Sequence, residues 1–267
     1  MRVGYVQFAP EFGEVERNLR RVTELLGGAR ADLWVLPELC TTGYQFASAV
    51  EVEELAEPVP GGPTTTALSA IACGLGCHIA AGVAERHRDR IYNAAVVVGP
   101  GGLVARYRKV HLFSQEKRWF VPGDLPFPVA DLGPAKVGLM VCYDHLFPEA
   151  ARSLALQGAE VIAHPANLVM PGLAQLTMRV RAIENRVFTV TANRIGVEAR
   201  TGETLRFTGL SQVVAPTGEV LVQASPDREE VGVVDVDPAR ARDKLLTPWN
   251  DVLADRRPEF YRRLVEG

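Results

Sequence analysis

Three polar residues stand where apolar runs end, and their types suit nucleophilic acyl chemistry. Cys142 follows Ala135-Lys136-Val137-Gly138-Leu139-Met140-Val141, which reads as a buried strand. It precedes Tyr143-Asp144-His145-Leu146-Phe147-Pro148-Glu149, which turns into an amphipathic helix over residues 150–157. A thiol at such a corner sits beside free backbone N–H groups and a positive dipole end, and both stabilise a thiolate. The same N–H groups suit an oxyanion. Glu38 ends Val35-Leu36-Pro37-Glu38, and a carboxyl on a rim beside apolar surroundings is raised toward the range of a general base. Lys109 follows a strand over residues 103–107; beside a thiolate it lowers the thiol pKa and steadies negative charge on a substrate oxygen. Singly, each has an ordinary explanation as an inert buried thiol, a solvated loop acid or a surface lysine. Their combination is what points to chemistry.

The elements that must position them alternate at first. A strand over 3–8 is followed by an amphipathic helix over 14–26, with Val15, Leu19, Val22 and Leu26 at helical spacing. A short buried strand covers 33–36. A helix over 63–75 is opened by Gly61-Gly62-Pro63 and closed by Gly76. A strand over 78–84 precedes a hairpin of 91–98 and 103–107 across Gly99-Pro100-Gly101-Gly102. After Cys142 come a strand over 160–163, a helix over 173–185 and a strand over 188–193. The strands 211–215, 220–223 and 231–236 follow. Strand–helix units mixed with hairpins predict mixed sheets covered by helices within one domain. Residues 45–60 and 199–208 read as loops. The tail over 237–267 carries many charges plus Trp249, Phe260 and Tyr261, and its aromatics predict packing on a partner subunit.

Composition narrows the function classes. The chain has 267 residues and a net charge of -3 from 29 basic and 32 acidic residues, with no basic stripe, which excludes a nucleic-acid partner. No run reaches the roughly 18 apolar residues of a membrane span. The start, Met1-Arg2-Val3-Gly4-Tyr5-Val6-Gln7-Phe8, reads as a strand and not as a signal peptide, so a cytoplasmic location is expected. Of the four cysteines, Cys73 and Cys77 lie four apart in a helical stretch. No cluster of further ligands accompanies them, so they read as small apolar residues packed on the core, with no metal and no disulfide framework expected.

Taken in order, Leu36-Pro37-Glu38, Tyr107-Arg108-Lys109-Val110-His111-Leu112-Phe113 and Cys142-Tyr143-Asp144 resemble the nitrilase superfamily of carbon–nitrogen hydrolases. The likeness continues through Phe120-Val121-Pro122-Gly123, His164-Pro165-Ala166-Asn167, Arg181-Ala182-Ile183-Glu184-Asn185 and Ala192-Asn193-Arg194. It is closest to the stand-alone nitrilase- and amidase-like hydrolases of hyperthermophilic archaea. The resemblance implies an α/β, layered α+β fold, a four-layer αββα sandwich, and a homodimer or higher homo-oligomer joined by C-terminal arms. It implies a catalytic triad of Glu38, Lys109 and Cys142, with Glu116 supporting the lysine. It implies cleavage of a small-molecule amide to acid and ammonia through a Cys thioester, without cofactor or metal. Small nitriles and N-carbamoyl amines or amino acids are the alternatives; intact triad positions oppose a non-catalytic scaffold. Leu146 stands where many relatives carry arginine, which weakens an acidic-substrate reading, and Asp144 resembles the amidase branches more than the nitrilase branch. The candidate substrate contacts are Tyr143, Asn167, His145, Tyr44 and Trp119, with Phe147 as a further pocket wall. His111 reads as a structural hydrogen-bonding residue, Arg106 and Arg108 as solvated or structural, and Arg181 with Glu184 as a structural pair.

Overall fold

Short runs of Val, Ile and Ala, broken by Gly, Pro and charged turns, form strands that need partners on both faces. The computed structural model describes residues 1–266; Gly267, the last residue of the expected arm, lies outside them. In chain order the elements are β1 (Arg2–Gln7), α1 (Val15–Gly27), β2 (Leu33–Val35), α2 (Ala49–Leu55), α3 (Pro63–Leu75), β3 (His78–His87), β4 (Arg90–Gly99), β5 (Gly102–Arg108), β6 (Val129–Asp131), β7 (Lys136–Leu139), α4 (Pro148–Leu156), β8 (Val161–Ala166), α5 (Leu173–Asn185), β9 (Phe188–Asn193), β10 (Val197–Glu198), β11 (Leu205–Arg206), β12 (Gln212–Val214), β13 (Val220–Gln223), β14 (Glu230–Asp235), α6 (Ala239–Arg242), β15 (Leu245–Thr247) and β16 (Asn250–Asp251).

Two six-stranded sheets result, ordered β14-β1-β2-β3-β4-β5 and β13-β12-β9-β8-β7-β6. Each has three parallel strands at its centre, β1-β2-β3 and β7-β8-β9, flanked by antiparallel ones. Side-chain alternation along the strands sorts the core into layers. Val3, Leu33, Ala95, Val137, Val161 and Val190 meet between the sheets. Val6, Trp34 and Ile79 face away from that interface and pack with Val22, Leu26 and Leu68 of α1 and α3. Met140 and Ile162 pack with Leu154 and Met178 of α4 and α5 on the opposite outer face. The order is therefore helix, sheet, sheet, helix, the four-layer sandwich that the resemblance implies.

Local signals behave as the sequence predicts at α3, where Pro63 starts the helix and Gly76, at φ 63°, ends it. Other elements differ. Residues 45–60 hold α2, capped by Ser48, whose hydroxyl accepts from the Glu51 amide at 3.2 Å. Cys73 is exposed, because the buried stripe of α3 runs through Thr64, Leu68 and Ala72 and the next residue turns about 100° away. Cys77 is buried as expected, just past the helix. The last core strand, β14, does not extend the sheet of β13; it crosses over to pair with β1. The tail forms α6 and a β15–β16 hairpin, and Trp249 at its tip is 90% exposed. No helix among the described residues is long and apolar enough to cross a membrane.

Candidate active site

The chain beyond β2 stays registered with β3 and so carries Glu38 inward. Leu36 N donates to Ala80 O at 2.8 Å, Gly82 N to Pro37 O at 3.1 Å, and Cys40 N to Gly82 O at 3.2 Å. The approach is close enough that a Cβ on Gly82 would lie 2.4 Å from Glu38 Cα. Leu39 beside it has φ 47°. Lys109 leaves β5 with its amide on Asn93 O at 2.8 Å, and its carbonyl accepts from Gly123 N at 2.9 Å. Glu116 lies in a single turn, Ser114–Arg118, that begins with Ser114 at φ 46°. Cys142 follows β7 and opens the turn Cys142–Leu146 at φ 44°. Three of the six non-glycine residues at positive φ thus lie at or beside these four groups. Each such conformation costs about 1–3 kcal/mol and persists only where the surroundings enforce it.

The side chains converge. Lys109 Nζ donates to Glu38 Oε1 at 2.7 Å and to Glu116 Oε1 at 2.8 Å. Asn93 Nδ2 donates to Glu38 Oε1 at 2.7 Å, while Glu38 Oε2 has no partner among the described residues. Tyr44 Oη donates to Glu116 Oε1 at 2.7 Å, and Phe113 N donates to Glu116 Oε2 at 3.1 Å. Lys109 and Glu38 are fully buried and Glu116 nearly so. One buried cation between two carboxylates is stable only as a unit; removing one partner of such a pair costs about 3–5 kcal/mol.

The electrostatics follow from burial. Burial alone would lower the Lys109 pKa, but the Glu116 and Glu38 carboxylates outweigh it and hold the ammonium above its ordinary range. Burial holds the Glu116 carboxyl above its ordinary range despite Lys109. Burial, and then the Glu38 charge, push the Cys142 thiol well up, and Lys109 only partly offsets them. Cys142 therefore rests as a thiol and needs a base. Lys109 lowers the thiol pKa, as its position in the sequence predicts, but burial outweighs that effect. The helix that follows Cys142, α4, starts only at Pro148, beyond the single turn that Cys142 opens. Glu38 too is not on a rim; it is buried and ion-paired.

Two adjoining cavities share Phe113 and Val169. One is lined by Cys142, Tyr143, His145 and Asn167, the other by Tyr44, Glu116, Trp119 and Glu203. The structure thus brings all five candidate contacts to the rim of the cluster. Asn167 is buried, its side-chain oxygen and nitrogen both lack a partner among the described residues, and its carbonyl lies 3.9 Å from Cys142 Sγ. Tyr143 N donates to no protein acceptor among the described residues. His145 contacts Thr177 Oγ1 at 2.6 Å, and burial lowers its pKa to about 4, so the ring is neutral. The Tyr44 ring faces the cavity but its hydroxyl is committed to Glu116. Phe147 is elsewhere, stacked on His111 at 3.6 Å between ring centroids. Among the described residues no group of three or more His, Cys, Asp or Glu is arranged to hold a metal ion.

Sequence reading missed two supports, Asn93 and Asp144. Asn93 was legible only as a polar residue inside a Val- and Ala-rich strand. Asp144 is fully buried, accepting from Val141 N at 2.8 Å and Tyr107 Oη at 3.0 Å and contacting His111 Nδ1 at 2.8 Å. Arg108, read as solvated or structural, is buried against Glu85 at 2.7 Å; Arg106 joins the same carboxylate at 3.0 Å. Arg181 and Glu184 do pair, at 2.8 Å.

Comparison with known proteins adds four findings. The carbon-nitrogen hydrolase family model matches residues 2–244. A nitrilase of Pyrococcus abyssi is 50% identical over 98% of this chain and 100% of its own. A crystal structure of a carbon-nitrogen hydrolase from Helicobacter pylori G27 superposes with a TM-score of 0.90 at 30% identity, over 100% of this chain and 98% of that one. An amidase from Nesterenkonia sp. AN1, solved after Michael addition of acrylamide at its active-site cysteine, has a TM-score of 0.80 at 28% identity over 99% of both chains.

Proposed function

The chain belongs to the carbon–nitrogen hydrolase family of the nitrilase superfamily, and we propose that within it the protein cleaves small aliphatic amides to carboxylic acid and ammonia. One observation carries this reading: a buried thiol whose proton affinity responds to the charges of Glu38 and Lys109, with Lys109 held by Glu38, a carboxylate that has one oxygen unpartnered among the described residues. Glu38 Oε2 takes the thiol proton as Cys142 Sγ attacks the amide carbon. The oxyanion is stabilised by the Lys109 ammonium and the Tyr143 N–H. Glu38 returns the proton to nitrogen, the C–N bond breaks, ammonia leaves and a thioester remains. Glu38 then takes a proton from water, the hydroxide adds to the thioester, and collapse releases the acid and restores the thiol. Glu116, braced by Tyr44, holds Lys109 charged and in place. Asn167, with a free donor and a free acceptor, matches the two-sided hydrogen bonding of a carboxamide.

The amidase neighbour and the Tyr143-Asp144 pair after the nucleophile support the amide. The 50% identical relative called a nitrilase supports a second reading, in which the same thiol adds to a nitrile and gives a thioimidate. Glu116 and Glu203 line the cavity that adjoins the one holding Cys142, and among the described residues neither cavity wall includes a Lys or Arg, the buried Lys109 ammonium having its charge already matched by Glu38 and Glu116. Acyl groups bearing a carboxylate, N-carbamoyl amino acids included, are therefore expected to be poor substrates.

The test is ammonia release from short amides, matching nitriles, carbamoyl amines and carbamoyl amino acids, with Cys142→Ala as control. Amide turnover that disappears in folded Cys142→Ala is expected. Turnover of nitriles alone favours the second reading, and an active Cys142→Ala protein overturns both.

A further inference from the structure

A buried histidine outside the triad grips the nucleophile's own backbone. His164 Nε2 lies 2.9 Å from the carbonyl oxygen of Cys142, and His164 Nδ1 lies 3.1 Å from Thr191 Oγ1. A carbonyl oxygen can only accept, so Nε2 carries the hydrogen, and Nδ1 then accepts from the Thr191 hydroxyl. The two residues are register partners on adjacent parallel strands, His164 on β8 and Thr191 on β9, so the imidazole is held by the sheet itself. The ring is fully buried. Burial, with His145 nearby, lowers its pKa to about 3, so the ring does not gain a second proton in the working range. The polar groups acting on it are those partners, the ring of His145, whose centroid is 6.0 Å away, and the Lys109 ammonium, whose charge also lowers its pKa.

What it grips is unusual. Cys142 has φ 44°, a conformation that residues with a Cβ rarely adopt. On the upstream side, Val141 N is held by the Asp144 carboxylate, itself bound to Tyr107 and His111. The peptide unit after the nucleophile and the one that enters Val141 are thus each tied to a buried side chain.

We propose that His164 is a positioning residue for the nucleophile: its Nε2–H, oriented by Thr191, anchors the Cys142 carbonyl and holds the left-handed backbone on which the aim of the sulfur depends. The inference rests on the reading of Cys142 as nucleophile. Substituting His164→Leu removes the donor at similar bulk, whereas His164→Gln keeps an N–H near the Nε2 position. The His164→Leu protein should lose about 100-fold in kcat, the loss that a misplacement of about 1 Å brings. KM should change little. Alkylation of Cys142 by iodoacetamide, followed by peptide mass so that exposed Cys73 does not obscure it, should slow in parallel. His164→Gln should restore much of both rates, and Thr191→Val should show a smaller loss. Long-range nitrogen–proton spectra of histidine-labelled wild type should show one ring as the neutral Nε2–H tautomer from about pH 5 to about pH 9.

A folded His164→Leu protein with unchanged kcat and unchanged Cys142 alkylation overturns the proposal. So does an Nδ1–H tautomer or a ring that titrates near its ordinary value. If His164→Leu does not fold, the wild-type spectrum and the Thr191→Val kinetics decide it. An active Cys142→Ala protein would instead remove the nucleophile reading, while the tautomer and alkylation results still report on the anchor.

Discussion

Glu38 is the residue on which the proposed chemistry turns. Its Oε1 is occupied by Lys109 and Asn93, and its Oε2 has no partner among the described residues. The thiol beside it is held in its protonated form by burial and by the Glu38 charge, so a base must act before the sulfur can. Replacing Glu38→Gln keeps the shape and removes the proton carrier. It should lower kcat by about 10²–10⁴-fold, the usual worth of a general base, measured as ammonia release from the best amide of the panel. A Glu38→Gln enzyme within a few-fold of wild type would show that the proton takes another route. The neutral histidines give a second residue-scale expectation. His145 is held near pKa 4 by burial, against about 6.5 for an unfolded chain. Between these values the unfolded chain binds a proton that the folded one does not, so stability is complete above about pH 6.5 and falls as the pH drops toward 4. Urea midpoints at several pH values should show wild type losing more stability over that window than His145→Gln; equal slopes would contradict the neutral, buried ring.

At the scale of elements, the site is built at strand ends. β5 runs parallel to β3, because each is antiparallel to β4, so Glu38 after β2 and Lys109 after β5 emerge at the same end of one sheet. Cys142 and Asn167 follow β7 and β8, which are parallel in the other sheet. Open sheets place ligand sites outside such carboxyl ends. The β10–β11 hairpin reaches across, with Glu198 accepting from the Tyr44 amide at 3.2 Å and pairing with buried Arg194. It thereby supports the residue whose hydroxyl braces Glu116. One tight junction is β3 against the Glu38 segment. Gly82→Ala would put a methyl 2.4 Å from Glu38 Cα and 2.5 Å from Leu39 N. Backbone must move there, so the variant should lose about 1–3 kcal/mol of stability in denaturant melts and most of its amide turnover. A stable, fully active Gly82→Ala protein would mean the Glu38 backbone tolerates displacement.

At the scale of the whole molecule, the sandwich buries the facing surfaces of its two sheets and the inner faces of both helix layers but leaves an apolar tail uncovered. Trp249, Val265, Phe260 and Leu246 are 90%, 86%, 72% and 66% exposed. Aromatic and aliphatic surface concentrated in one segment is characteristic of the centre of an interface. We propose that a second copy of the chain covers it. Sedimentation should give a dimer or larger at micromolar concentration, shifting toward monomer on Trp249→Asp. A monomeric wild type would exclude that role for the tail.

The amino-acid sequence by itself determined the pieces: periodicity placed α1, α3, α5 and the β4–β5 hairpin, and the order of Glu38, Lys109, Glu116 and Cys142 carried the family. These are local or ordered signals, read along the chain. It could not reveal that Glu38 is buried, that Cys142 stays a thiol, or that the Tyr44 hydroxyl belongs to Glu116, because each depends on groups 70 or more residues apart meeting in a dry interior. Burial sets the sign of the thiol shift, and burial is a property of the assembled sheets. The crossing of β14 to β1, and the anchor from His164 to the carbonyl of Cys142, were decided there too, since strand partners and carbonyl contacts leave no periodic trace in a single chain.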